Sequence, residues 1–182
     1  MKSLSAGACA VLGLLFSASP GAAETGPQLR TQSDLGFPEE GYCVDVLGIG
    51  DTARADLPLI AHNCLPEAHA SDRFVEVLSD GRLYMPAFES CVTAFAVGEG
   101  LLPGAPVVLR PCGAEESFLP ADRFQRFERT EEGHMRLADT ELCLAAGPDA
   151  APTFNPTHRW RTLTMETCAT LDPELGLWRA AG

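Results

Sequence analysis

The chain has 182 residues and a formal net charge of −12, with 25 acidic side chains against 13 basic ones. This length suits one domain with an appendage and is too short for two domains of ordinary size. The acidic balance argues against nucleic acid and against electrostatic attachment to an anionic membrane, because both attract cationic surfaces. Hydrophobic residues make up 46% of the chain, which excludes a wholly disordered protein.

Residues 1–23 have the pattern of a secretory signal peptide. Lys2 gives a positive start, residues 4–18 form an apolar run, and Ala22 and Ala23 supply the small side chains that a signal peptidase requires. Because this run is shorter than the roughly 18 residues of a spanning helix, we expect no transmembrane anchor. We therefore predict that the mature protein is secreted or periplasmic.

Six cysteines follow the signal peptide, a number typical of a disulfide framework in an exported chain. Consecutive pairs are separated by 21, 21 and 25 residues, and the first members of the pairs lie 48 and 52 residues apart. A metal site would favour Cys-x-x-Cys clusters, which the sequence lacks. The spacing therefore predicts a repeat of about 50 residues with one disulfide in each unit. The predicted disulfides are Cys43–Cys64, Cys91–Cys112 and Cys143–Cys168.

Other features recur in the same order. Each first cysteine lies in a short apolar run, and each second cysteine ends a strand-like stretch. Ten to twelve residues later comes an aromatic residue, namely Phe74, Phe124 or Trp178. Strands that start at Gly81 and Gly133 then precede the next cysteine by ten residues. Each unit is thus predicted to contain four short strands and no amphipathic helix.

Three such units must share one core, because a single unit cannot bury its own apolar face. An all-β barrel with approximate threefold symmetry satisfies this need and leaves no exposed strand edge. The third unit lacks its last strand, since the chain ends four residues after Trp178. We expect residues 26–31, within the N-terminal segment 24–40, to supply that strand beside residues 178–180. The alternative is that segment 24–40 is a disordered leader.

The pattern of cysteine-hydrophobic-Asp, strand, cysteine and Gln-x-Trp resembles the ricin-B-type lectins over residues 41–182. The closest local match is Gly41-Tyr42-Cys43-Val44-Asp45-Val46. The tryptophan of the motif corresponds to Phe74, Phe124 and Trp178, and its glutamine to Asp72, Asp122 and Gly176. The resemblance implies a β-trefoil, a fold of three repeats with four strands each.

In these lectins an Asp accepts hydrogen bonds from sugar hydroxyls, amide side chains add others, and an aromatic ring stacks on the sugar. By resemblance, the Asp position holds Asp45, Thr93 and Ala145 in repeats one to three, and the aromatic position holds His62, Arg110 and Glu166. The amide positions of repeat one hold Ile60 and Ser71. The resemblance thus implies one weak, degenerate sugar site in repeat one, made of Asp45, His62, Ser71 and Asp72. The alternative is that Asp45 only caps a turn by bonding nearby backbone N–H groups.

Trp160 lies between Arg159 and Arg161, after a loop rich in proline and alanine in the longer third repeat. Tryptophan flanked by arginine is typical of a protein-interaction hot spot, so these three residues are candidates for a partner contact. Alternatively, Trp160 covers the open end of the barrel while the arginines neutralise nearby acids. The histidines show no metal-ligand spacing, and no Gly-x-Ser-x-Gly motif is present, so we predict no metal, cofactor or catalysis.

Two main hypotheses of function follow. The first is a secreted, non-enzymatic, lectin-like carbohydrate-binding module. The second is a protein-interaction trefoil without sugar binding. Accessory subunits of secreted toxins such as the cytolethal distending toxins resemble this arrangement. A small secreted hydrolase is a third and weaker hypothesis. The expected partner is a glycan or another exported protein.

Overall fold

The structure, a computed structural model, describes residues 26–38, 40–64 and 70–181. The predicted signal peptide, residues 1–23, lies outside these residues. Within them the protein is all-β, as the sequence predicts, and the strands pair antiparallel in a curled sheet. The three predicted disulfides are confirmed. They fit a protein that resides in an oxidising compartment, extracellular or periplasmic.

The strands divide into three sets along the chain. The first set is β1 (Gln28–Thr31), β2 (Tyr42–Asp45), β3 (Ile60–Asn63) and β4 (Glu76–Val77). The second is β5 (Leu83–Met85), β6 (Ser90–Ala94), β7 (Ala105–Arg110) and β8 (Phe127–Arg129). The third is β9 (Met135–Leu137), β10 (Leu142–Ala146), β11 (Ala151–Pro152), β12 (Arg159–Thr167) and β13 (Trp178–Ala181). We call the regions around the three disulfides repeats one, two and three.

Short helices connect some of the strands. One α-helical turn, α1 (Pro173–Gly176), precedes β13, and Asp172 caps it by accepting a hydrogen bond from the Glu174 N–H at 3.0 Å. The remaining helical turns of the described residues are 3-10 helices at Gly50–Thr52, Ala70–Arg73, Pro86–Phe88, Ala121–Phe124 and Cys168–Thr170.

One hairpin occurs in each repeat with the same register. Cys43 lies opposite His62 in the hairpin β2–β3, Cys91 opposite Arg110 in β6–β7, and Cys143 opposite Glu166 in β10–β12. In all three, the first cysteine therefore faces the residue two positions before its disulfide partner. This shared register places corresponding side chains of the three repeats at corresponding positions on the sheet.

The N-terminal strand pairs with the C-terminal one. Leu29 of β1 lies opposite Ala180 of β13, and Thr31 lies opposite Trp178. The same strand also pairs with β2, where Arg30 lies opposite Cys43. The sequence analysis expected β13 as the neighbour of residues 26–31, and the pairing with β2 is additional. The N-terminal strand therefore joins the two ends of the described chain.

Three backbone hydrogen bonds correct the predicted alignment of equivalent residues in the three repeats. The N–H of Val75 donates to the carbonyl of Pro27, that of Phe127 to Gly81, and that of Trp178 to Gly133. Val75, Phe127 and Trp178 are therefore equivalent, and all three are buried. The prediction that Phe74 and Phe124 take the place of Trp178 is wrong. The residues two positions earlier, at the glutamine of the motif, are Arg73, Gln125 and Gly176 rather than Asp72, Asp122 and Gly176.

The core lies where these three positions meet the inner faces of the hairpins. Trp178 is fully buried, and its indole N–H donates to the carbonyl of Leu144 at 2.8 Å. Phe127, Leu83 and Leu137 are buried in the same cluster. Gly81 has a φ of +86°, and a Cβ there would lie 2.6 Å from the Phe127 oxygen. Any other residue at position 81 would therefore separate the two strands that the repeat brings together.

Candidate functional site

A cleft of about 320 Å³ opens beside the hairpin of repeat one. Asp45 and His62 from β2 and β3 line it, together with Asp72 and Arg73 from the 3-10 helix Ala70–Arg73. Further polar and aromatic lining comes from Thr52 and from the loop of repeat three that precedes β12, through Thr153, Phe154 and His158. Three of the four predicted sugar-binding residues, Asp45, His62 and Asp72, therefore share one cleft.

Asp45 ends β2 and is 7% exposed. Its Oδ1 accepts a hydrogen bond from the N–H of Val46 at 2.7 Å, so part of the carboxylate caps the chain, as the alternative interpretation requires. Its Oδ2 lies 3.8 Å from Nδ1 of His62. One carboxylate oxygen thus holds the turn while the other lies beside an imidazole that lines the cleft.

His62 lies in β3 at the position that holds an aromatic residue in the lectin pattern. Its Nδ1 is 3.0 Å from the carbonyl oxygen of Asn63. Its ring centroid is 5.5 Å from that of His158, with the two rings tilted by 54°. The two imidazoles form one wall of the cleft, and a ring nitrogen can donate to or accept from a ligand hydroxyl.

Asp72 connects two loops at the edge of the cleft. Its Oδ2 accepts a hydrogen bond from the N–H of Gly50 at 2.7 Å, which joins the helix Ala70–Arg73 to the helix Gly50–Thr52. Ser71 does not line the cleft, and its carbonyl accepts from the N–H of Phe74 at 3.1 Å. The structure therefore places Ser71 outside the cleft lining, whereas the 3-10 turn directs Asp72 and Arg73 to it.

Phe154, like His158 and Arg73, is a cleft residue that the sequence analysis missed. Its side chain is completely exposed at 105% of the reference value, and Leu47 and Ile49 form a half-exposed apolar rim of the same cleft. The sequence signal was the lengthened third repeat, whose loop holds an isolated aromatic residue. A flat exposed ring beside carboxylates and imidazoles provides the apolar platform that His62 alone supplies poorly.

Asn63 holds the Phe154 loop against repeat one. This fully buried side chain donates to the carbonyl of Thr157 at 3.0 Å and to Oε2 of Glu40 at 2.8 Å, and it accepts from the N–H of Arg159 at 2.7 Å. The loop itself turns through Asn155, whose Oδ1 accepts from the N–H of Thr157 at 3.0 Å. The cleft is therefore built across two repeats, with Asn63 as the connection.

In repeat two, buried side chains fill the space that corresponds to the cleft of repeat one. Thr93 replaces Asp45, and Nε2 of Gln125 donates to its hydroxyl at 3.0 Å and to the carbonyl of Pro111 at 3.1 Å. Oε1 of Gln125 accepts from the N–H of Gly113 at 2.8 Å. Both polar side chains are fully buried, so Gln125 occupies the space between the hairpin and the following loop.

Repeat three has a different arrangement again. Gly176 stands where Gln125 and Arg73 stand, and a Cβ there would contact the side chain of Leu171. A second cleft of about 410 Å³ lies here, and its lining includes Glu166, Thr164 and Thr170. Oε1 of Glu166 accepts from the hydroxyl of Thr164 at 2.8 Å. This cleft has no aromatic side chain in its lining.

The three candidate residues for a protein contact differ in position. Arg161 is buried, and its guanidinium donates to the carbonyls of Gly147, Pro148 and Leu35 at 2.6 to 3.0 Å. Its Cζ also lies 4.8 Å from the ring centroid of Tyr42. Trp160 is half-buried opposite His62, and Arg159 donates to the carbonyl of Ala150 at 2.8 Å. Arg161 therefore holds the loop inside the protein instead of presenting a cation to a partner.

Neither a metal-binding cluster nor a membrane-spanning helix is present among residues 26–38, 40–64 and 70–181. No group of three or more His, Cys, Asp or Glu side chains there is arranged to hold a metal ion. None of the helices in those same ranges has the length and apolar character needed to cross a membrane.

Comparison with known proteins gives similarity at the level of the fold. No family model and no curated protein matches the sequence. The solution structure of the mdaA-1 domain is 16% identical with a TM-score of 0.55, over 92% of this chain and 95% of that one. A chain of the cytolethal distending toxin from Actinobacillus actinomycetemcomitans is 14% identical with a TM-score of 0.52, over 86% and 90%. One from the Haemophilus ducreyi toxin is 16% identical with a TM-score of 0.50, over 93% and 94%.

Proposed function

We propose that the protein is an exported, non-enzymatic β-trefoil binding module whose repeat-one cleft binds a carbohydrate. The trefoil is supported by the three hairpins of equal register and by the three equivalent backbone bonds at Val75, Phe127 and Trp178. The lectin pattern around Cys43 and Asp45 supports a divergent ricin-B-type fold. The disulfides and the signal pattern support export.

The single observation that carries the sugar proposal is that Asp45 and Phe154 both line the same cleft. Asp45 Oδ2 is a charged acceptor, and hydrogen bonds to a charged group are roughly twice as strong as neutral ones. Phe154 supplies a fully exposed ring for the apolar face of a sugar. His62 and His158 add donors and acceptors that fit vicinal hydroxyls. A cleft of about 320 Å³ with a few polar groups in a mainly apolar lining therefore suits one or two sugar rings.

The test is a glycan array probed with the oxidised mature protein, followed by calorimetry on the strongest oligosaccharide. Phe154→Ala and Asp45→Asn are each expected to weaken binding by about tenfold or more, the equivalent of about 1.4 kcal/mol. Asp45→Asn retains an oxygen that can accept from Val46, so folding is preserved. Phe118→Ser, an exposed substitution in repeat two, is the matched control and should leave the affinity unchanged. Absence of any glycan signal would remove the proposal.

The second candidate function is that of a protein-interaction trefoil, such as an accessory subunit of a secreted toxin. Two of the similar structures are chains of cytolethal distending toxins, which is the observation that favours it. Co-purification of a stable exported partner without any glycan binding would favour this function over the first.

A further inference from the structure

An unfilled cleft lies beside the hairpin of repeat three, at the place where repeat two is packed. In repeat two, Gln125 occupies the corresponding space with three hydrogen bonds. Gly176 stands at that position in repeat three and brings no side chain to the cleft. The volume of about 410 Å³ exceeds that of the repeat-one cleft and lies in the range of ligand sites. The chemistry of its lining therefore indicates what it can bind.

The charged groups of this cleft are carboxylates only. Glu166, which is half-buried, and Asp172, which is exposed, both line it, and no arginine, lysine or histidine belongs to the lining. Neither carboxylate forms an ion pair with any other residue in the described part of the chain. The repeat-one cleft, by contrast, combines two carboxylates with Arg73 and two imidazoles. The charge of the repeat-three cleft therefore favours a cationic ligand.

The hydroxyl groups beside these carboxylates add hydrogen-bond acceptors. The carboxylate of Glu166 can only accept, so the hydroxyl of Thr164 donates to it at 2.8 Å and keeps its lone pairs for a ligand. The hydroxyl of Thr170 donates to the carbonyl of Thr167 at 3.4 Å and keeps its lone pairs in the same way. An ammonium or guanidinium group has several N–H donors and no acceptor. The polar part of the lining therefore matches a group that only donates.

The rest of the lining is largely aliphatic and holds no aromatic ring on which a sugar could stack. Its aliphatic members are Ala145, Ala146, Pro148, Leu171 and Leu175. Lysine and arginine side chains lay their methylene stems along such surfaces and direct the charged group to polar partners. The lining thus fits a cation on an aliphatic stem better than it fits a sugar ring.

We propose that the repeat-three cleft binds an ammonium or guanidinium group carried on an aliphatic stem. A lysine or arginine side chain of another exported protein and a free diamine share this chemistry, and the experiment below distinguishes the two sources. The net charge of −12 on the chain attracts either ligand. The repeat-one cleft takes no part, so the inference does not depend on sugar binding.

The experiment is a nitrogen-15 NMR titration of the oxidised protein with Nα-acetyl-lysine methylamide, its arginine counterpart and pentane-1,5-diamine. The norleucine counterpart has an aliphatic stem without a charge and is the matched ligand control. Saturable shifts are expected at the amides of Thr164, Glu166 and Thr170 with the cationic probes and not with the norleucine probe. Raising NaCl from about 50 to about 500 mM should weaken the binding, because the contact is ionic.

Two variants remove a charge and keep the local hydrogen bonds. Glu166→Gln retains an oxygen that accepts from Thr164, and Asp172→Asn retains one that caps α1. Each is expected to weaken the binding of the lysine probe by about fivefold or more, at an unchanged melting temperature. Glu174→Gln loses the same charge at an exposed position outside the lining, so it is the matched control and should change the affinity by less than about twofold.

The order of affinities identifies the source of the cation. Binding that depends on Glu166 and is tighter for pentane-1,5-diamine assigns the cleft to a free diamine, and the reverse order assigns it to a protein side chain. The inference is overturned if no cationic probe gives saturable shifts at these amides up to about 10 mM. Equal binding of the norleucine probe, or an equal loss in Glu174→Gln, also overturns it. Glycan binding by Glu166→Gln should be unchanged, so failure here and failure of the sugar proposal are seen separately.

Discussion

Repeats one and two have the same hairpin register and the same disulfide spacing, yet they use the space beside the hairpin in opposite ways. Repeat one places Asp45 and Arg73 at the edges of a cleft. Repeat two places Thr93 and Gln125 there and joins them by a hydrogen bond. Residues at the same pair of positions thus line a cleft in repeat one and fill the space beside the hairpin in repeat two. The comparison teaches that the backbone repeat and the binding function are specified by different residues.

The largest expected effect comes from removing the disulfide that repeats one and two both contain. Replacing both cysteines by alanine in Cys43–Cys64 or in Cys91–Cys112 should lower the free energy of unfolding by about 3 kcal/mol in each case, because both loops have the same length. Urea unfolding measures this. Only the first pair should also weaken glycan binding, since Cys43 lies opposite His62. Equal loss of binding in both variants would show that the cleft is not local to repeat one.

The second prediction tests whether Gln125 stabilises repeat two by filling the space beside its hairpin. Gln125→Ala removes three hydrogen bonds from a fully buried side chain and leaves the Gly113 N–H without its partner. We expect a loss of about 2–3 kcal/mol in unfolding free energy, with glycan affinity unchanged. Arg123→Ala, at an exposed position of the 3-10 helix Ala121–Phe124 that ends just before Gln125, is the control and should change stability by less than about 0.5 kcal/mol. Equal effects of the two substitutions would contradict the assignment of Gln125.

A graft from repeat two into repeat one has a smaller effect on stability. The double variant Asp45→Thr and Arg73→Gln recreates the pair that fills repeat two. We expect glycan binding to be lost while unfolding free energy stays within about 1 kcal/mol of wild type, because a buried charge is replaced by a neutral hydrogen-bonding group. Calorimetric titration and thermal unfolding of the same sample check both statements. Retained binding would mean that these two residues do not form the site.

The smallest predicted effect is the part of the unfolding free energy that Asp122 of repeat two contributes and that is lost at low pH. Hydrogen bonds from Arg126 and then Arg82 hold the pKa of the Asp122 carboxyl below its ordinary value. A carboxyl whose pKa is lower in the folded state stabilises the protein above its unfolded pKa and loses that contribution as the pH falls through the folded pKa. The side chain is 35% exposed, so we expect a loss of less than about 1 kcal/mol below about pH 4.

Asp122→Asn isolates this contribution. The variant should show a shallower fall in unfolding free energy between about pH 5 and about pH 2 than wild type does. Urea denaturation at a series of pH values provides the curve. An identical slope in the two proteins would show that the Arg82 and Arg126 contacts add nothing to stability.

Much of the fold could be predicted because it is encoded by spacing. The cysteine period predicted three hairpins and their disulfides, and the absence of a last strand in the third unit predicted the pairing of β1 with β13. These features depend on short-range patterns that repeat along the chain.

The core positions that are equivalent to Trp178 in the other two repeats could not be predicted from the sequence alone. Asp-Arg-Phe occurs at residues 72–74 and at 122–124, and the match suggested equivalence. The backbone bonds show that Phe74 lies one residue before the equivalent position, Val75, whereas Phe124 lies three residues before Phe127. The two identical Asp-Arg-Phe segments therefore occupy different positions in their repeats. In repeat two, the segment that matches Gln-x-Trp is Gln125-Arg126-Phe127.

The site was predictable in its repeat-one half only. Asp45 and His62 follow from local position in the motif and line the cleft, whereas Asp72 lines it although Arg73 holds the glutamine position of the motif. Phe154 and His158 reach it because β12 pairs with β3 across repeats, with Trp160 opposite His62. That pairing joins segments about one hundred residues apart, and no local pattern encodes it. The anchoring bonds of Asn63 are invisible for the same reason.

The most direct measurement is a nitrogen-15 NMR titration of the oxidised protein with the oligosaccharide selected by the array. Saturable shifts of backbone amides should concentrate at Asp45, His62 and Phe154, on both sides of the cross-repeat cleft. The amides of Thr93 and Gln125 should stay unchanged, because their space is filled. Shifts centred on repeat two, or none that saturate, would contradict the claim that repeat one alone of these two hairpins holds an open ligand site.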